Sequence, residues 1–79
     1  MSDNRKYMVR LRKTYRNQFT GETTGALPVK SFETTASTAK QAENNARYRF
    51  GADGQQRNWK SVGWGEQMRV ELIECRLIA

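Results

Sequence analysis

Residues 6–16 run Lys6-Tyr7-Met8-Val9-Arg10-Leu11-Arg12-Lys13-Thr14-Tyr15-Arg16, and their alternation decides the fold class. Tyr7, Val9, Leu11 and Tyr15 share one parity. Met8, Arg10, Arg12, Thr14 and Arg16 share the other, and Lys13 is the one break in the apolar set. A period of two is the signature of a strand buried on one face. It predicts a first strand from Lys6 to about Tyr15, preceded by a disordered N-terminus over 1–5. Arg10, Arg12 and Arg16 then project from one side, at ~6.5–7 Å per two residues. That comb is a polyanion contact in prospect, and a charged face also discourages edge-to-edge aggregation.

Working outward, 17–26 is polar with Gly21 and Gly25 and is expected to be a hairpin loop. Leu27 to about Thr34 is expected to be the second strand, with Pro28 at its start or on an edge because it cannot donate a ladder hydrogen bond. A helix follows: Ser37 or Thr35 is placed to cap it, and Ala39, Ala42, Ala46 and Phe50 recur at intervals of three and four. Arg47 and Arg49 complement the negative end of its dipole, and Gly51 suits its C-terminal turn. The alanine face allows close approach to a sheet, while Lys40, Gln41, Asn44 and Arg47 are expected to be wet. Residues 51–65 are loop-rich, with Trp59 and Val62 in a short extra strand or a packed excursion.

The last element, about Glu66 to Ile78, has a defect in its pattern. Met68, Val70 and Leu72 take one parity, and Ile73, Cys75 and Leu77 the other. A bulge near Leu72–Ile73 would restore one buried face. Otherwise the strand is apolar on both sides and wants a second chain, which makes a homodimer through Met68–Leu77 an open alternative. The order β-β-α-β, with room for one extra short strand, is an α+β fold: a single small antiparallel sheet covered by one helix, one domain over 1–79.

Composition narrows function. The 79 residues hold fourteen Lys plus Arg against eight Asp plus Glu, no histidine and one cysteine, for a net charge of +6. No histidine and a lone thiol exclude a zinc ligand set and an internal disulfide, so no metal or cofactor is expected. Catalysis is not expected either. The serines lack a histidine to activate them, and Glu71 and Glu74, three apart on a strand, are expected on opposite faces. Gly51-x-x-Gly54 and Gly63-Trp64-Gly65 lack the Lys-Ser/Thr ending of a phosphate loop. No run approaches the ~20 apolar residues of a membrane span, and no signal peptide is visible, so a cytoplasmic protein is expected, with Cys75 a small core hydrophobe.

The charge is concentrated. Residues 1–16 hold Arg5, Lys6, Arg10, Arg12, Lys13 and Arg16 against Asp3 alone. Basic and aromatic residues then interleave at Arg47-Tyr48-Arg49 and at Arg57, Trp59, Lys60 and Trp64. Cations pair with phosphates and rings stack on bases, so Arg10, Arg12, Lys13, Arg16, Arg47, Arg49, Lys60 and Trp64 are the candidate partner-binding residues. Six neutralised phosphates would give a salt slope of about −5 on duplex DNA. Competing uses exist for each: a solubilising charge excess, dipole complementation for Arg47 and Arg49, and core packing for Trp59, whereas the glycines around Trp64 favour its exposure. Changing Arg10, Arg12 and Arg16 together to Glu is expected to leave folding nearly intact if their face is wet.

The run Phe32-Glu33-Thr34-Thr35-Ala36-Ser37-Thr38-Ala39, continued by Ala42 and Ala46 and followed by a closing strand, resembles small phage-encoded β-β-α-β inhibitors. These are certain anti-CRISPR proteins and inhibitors of host RNA polymerase; some small ribosomal proteins are similar in layout. The resemblance spans about 27–78. It implies a non-enzymatic role in a host cytoplasm, engaging an acidic or nucleoprotein surface such as a CRISPR effector or a polymerase. The alternatives are direct, sequence-tolerant binding of DNA or RNA, and a structural homodimer.

Overall fold

The computed structural model describes residues 4–79. The elements run β1 (Arg5–Asn17), β2 (Thr23–Ala26), β3 (Lys30–Ala36), α1 (Ala39–Phe50), β4 (Lys60–Gly63) and β5 (Glu66–Leu77). They form one antiparallel five-stranded sheet in the order β2-β1-β5-β4, with β3 also paired to β1, and one helix: a small α+β domain. β1 is the spine. Its outer edge takes β3 along Arg5–Leu11 and β2 along Thr14–Arg16, and its inner edge takes β5 from Tyr7 to Asn17.

Three boundaries differ from expectation, each for a local reason. Arg5, expected in a disordered start over 1–5, is already a strand residue because it pairs with Ala36; residues 1–3 lie outside the described residues. The first hairpin closes sooner than its composition suggests: Asn17 Oδ1 accepts from the backbone N–H groups of Phe19 and Thr20, and β2 begins at Thr23. The expected second strand is split. Leu27, Pro28 and Val29 interrupt the ladder between β2 and β3, because Pro28 has no N–H to give it.

The helix cap falls one residue beyond Ser37. Thr38, in extended backbone, is the N-cap, its hydroxyl accepting from Gln41 N–H at 3.1 Å. Ser37 takes a supporting part: its N–H and hydroxyl both donate to Gln41 Oε1. Ala42 and Ala46 are fully buried and let α1 sit close on the sheet, while Ala39 is exposed. The core is Tyr7, Val9, Leu11, Ala36, Ala42, Ala46 and Val70, with Phe32, Phe50 and Cys75 packed against it.

The parity defect in β5 is a bulge. Arg10 pairs with Glu74 and Leu11 with Leu72, which leaves Ile73 as the extra residue. Met68, Val70, Leu72, Cys75 and Leu77 thereby stay on the helix side of the sheet. The same bulge overturns the expected separation of Glu71 and Glu74. One extra residue between them restores common parity, so both stand on the helix-free face, opposite Arg12 and Arg10.

The molecule is long: 49 × 17 × 16 Å, with a radius of gyration of 14.1 Å against roughly 12 Å for a compact chain of this length. β1 alone spans ~43 Å, whereas a twelve-residue helix reaches only ~18 Å. Hence α1 covers the half of the sheet around Tyr7–Leu11. Beyond it, the chain that follows the helix meets the sheet: Asp53 reaches Lys13, and Gln56 O accepts from Val70 N–H.

Candidate nucleic-acid interface

Cross-strand pairing and alternation define the helix-free face. It carries Lys6, Arg10, Arg12 and Arg16 from β1, Arg69 and Arg76 from β5, and the carboxylates Glu33, Glu71 and Glu74. Six cations thus face three acids. Arg10 lies 3.7 Å from Glu74, and Arg12 lies 3.3 Å from Glu71, which Arg69 also approaches at 3.7 Å. Arg16 Nε donates to Gln67 Oε1 at 2.8 Å. The comb read from β1 is present, but its groups are half-buried in a ladder of charges rather than wet. The triple change to Glu would set carboxylates opposite Glu74 and Glu71, so it is no neutral variant.

Toward the Asn17 end, Glu66, opposite Asn17, falls on the other face by alternation. The helix-free face has Gln67 there rather than a carboxylate opposite Arg16, and aromatic rings begin. Trp59, one residue before β4, lies on this face because its neighbour Lys60 pairs with Met68 on the other. Two guanidinium groups stack on its ring, Arg16 at 4.3 Å and Arg69 at 4.6 Å from the centroid. Trp59 is therefore half-buried, its ring used as a platform for cations. Beyond it the β1–β2 and β4–β5 turns meet, Gln18 N–H donating to Gly65 O at 2.8 Å. They bring Phe19 and Trp64 into contact, centroids 5.7 Å apart. Trp64 is 93 % exposed and Phe19 68 %. Gly65, at φ +74°, makes the turn, and a side chain there would press on the Phe19 ring.

The other candidates lie elsewhere. Lys13 is on the helix side, its ammonium 2.8 Å from Asp53 Oδ2. That hydrogen bond raises the Lys13 pKa above 10.5 and lowers that of Asp53 below 3.8. Lys13 breaks the apolar pattern because a carboxylate from the loop after α1 meets it. Lys60 is exposed on the same side as Lys13.

Arg47, expected wet, is 3 % exposed. Its Nε donates to Glu43 at 2.7 Å, and one terminal nitrogen donates to the carbonyls of Val70 at 2.8 Å and Gly54 at 3.0 Å. Those internal acceptors take its charge away from the surface. Gly54 is held so close that a Cβ would sit 1.8 Å from the Arg47 carbonyl oxygen. Arg49 stays exposed, donating to Glu33 O at 2.8 Å with its guanidinium 5.4 Å from the Phe32 ring centroid.

The structure thus brings Arg10, Arg12 and Arg16 together and sets Trp64 at the end of the same sheet. It disperses Lys13, Arg47, Arg49 and Lys60. Phe19 and Arg69 also belong to this surface, and sequence reasoning passed over both. The only signal for Phe19 was an aromatic residue in a polar turn, and for Arg69 a cation on the non-apolar parity of β5. Among the described residues no helix is long and apolar enough to cross a membrane. No family model, no curated protein and no solved structure matches the chain.

Proposed function

We propose that the chain is a non-enzymatic binding module that contacts single-stranded nucleic acid through its helix-free sheet face, with the Asn17 end as the focus. The observation that carries this reading is the join of Arg16 and Arg69, stacked on Trp59, with the exposed Trp64–Phe19 pair. Guanidinium groups held over a ring keep N–H groups for phosphate oxygens, and exposed rings offer a face to unpaired bases. Sequence-specific readout of a duplex is not part of the proposal, since α1 presents no basic face to a groove.

The test is binding of a labelled single-stranded DNA and RNA at two salt concentrations, by wild type and by Trp64→Ala. About four phosphates neutralised predict a salt slope of about −3 on a single strand. Loss of one stacking ring predicts an affinity lower by ~1–3 kcal/mol. A second reading has its own support: the carboxylates beside Arg10 and Arg12 suit a mixed-charge protein surface, as an inhibitor of a nucleic-acid-processing complex would need. It predicts no measurable binding to either bare strand, with capture of such a complex instead.

A further inference from the structure

The outer edge of β5 is open beyond its midpoint. β4 pairs only with Glu66–Met68, and Val70 is served by Gln56 O and by Arg47. From Leu72 to Leu77, no strand among the described residues lies on that side. The open stretch is also apolar at both ends: Leu72, Ile73, Leu77 and Ile78 are all exposed.

Its sequence, Leu72-Ile73-Glu74-Cys75-Arg76-Leu77-Ile78, is chemically palindromic about Cys75. Laid antiparallel on a second copy and centred there, Glu74 meets Arg76 on the helix-free face and Ile73 meets Leu77, and the bulge ends the match at Leu72. Each pair occurs twice across the two-fold axis. Charged side chains and a bulge ordinarily protect an edge from pairing. Here the two charges are of opposite sign and two residues apart, on the same face, so this one register turns them into cross-strand ion pairs.

We infer that the β5 edge is a self-association surface whose occupant is a second copy of this chain, joined edge to edge about Cys75. The two sheets become one, and the two helix-free faces become continuous, with their aromatic ends pointing in opposite directions. So short an edge falls at the low end of interface sizes, and the dimer is accordingly weak.

The experiment is the solution mass of the protein without nucleic acid, from micromolar to millimolar concentration, so it is independent of the binding reading. Four proteins are compared: wild type, Glu74→Arg, Arg76→Glu, and the double exchange. Wild type should rise toward twice the 9.1 kDa monomer mass. Each single change should hold the mass at the monomer, because it sets like charges opposite each other, and the double exchange should restore the rise. Far-ultraviolet circular dichroism verifies that each variant is folded. A wild type that stays monomeric throughout overturns the inference. So does a dimer that the single changes leave intact.

Discussion

At the residue scale, Arg47 separates composition from structure. Its place near the helix end invites a surface role, yet it ties α1, the following loop and β5 together from inside. The legible signal was Glu43 four residues earlier, the spacing of a helical ion pair. What the sequence could not show is that the carbonyls of Gly54 and Val70 converge on the same group, because that depends on tertiary packing. Arg47→Ala would strand two carbonyls and leave Glu43 only its longer contact with Arg57, at 3.9 Å, and is expected to destabilise by ~2–4 kcal/mol in chemical denaturation.

Lys13 and Asp53 make a pH prediction with two limbs. Asp53 has a folded pKa below 3.8, so its contribution is lost as pH falls through that depressed value. Lys13 has a folded pKa above 10.5, so its contribution is lost as pH rises through that raised value. Between these limits the pair is intact. It is partly exposed, which keeps its worth to ~1 kcal/mol or less. The stability difference between wild type and Asp53→Asn should be level across neutral pH and close at both extremes. A difference that persists at acid pH would show that the pair is not its source.

At the scale of elements, hydropathy alternation carried the reading furthest. β1 was legible because Val9, Arg10, Leu11 and Arg12 alternate without interruption and Tyr7 keeps the apolar parity. The bulge in β5 was legible because its apolar residues change parity once. Its consequence for Glu71 and Glu74 is visible only when the register with β1 is known. β2 was missed because Thr23, Thr24, Gly25 and Ala26 have no apolar alternation and are held by pairing with β1. The helix was clear but its cap was not, since Thr35, Ser37 and Thr38 all carry a suitable hydroxyl. Thr38→Ala should cost ~1 kcal/mol in thermal or chemical unfolding, more than Thr35→Ala, because Thr38 accepts from Gln41 N–H.

At the scale of the whole molecule, the functional reading rests on length and coverage. One face of the sheet has no helix over it, and on that face cations outnumber acids. The net charge of +6 suggested a polyanionic partner but not where it would be met. Pairing of β1 with β5 gathers Arg16 and Arg69 over Trp59, and the meeting of two distant turns creates the Phe19–Trp64 end. Neither cluster is local in sequence, so neither was legible there.

The measurement that tests this account most directly is the affinity of a labelled single-stranded oligonucleotide for wild type and Trp64→Ala at low and moderate salt. Trp64 is almost wholly exposed, so its removal should leave the fold and its melting temperature unchanged. The account predicts salt-steep binding by wild type and an affinity about 5- to 150-fold lower in the variant. Equal affinity in the two proteins, or no binding by wild type at low salt, would contradict it.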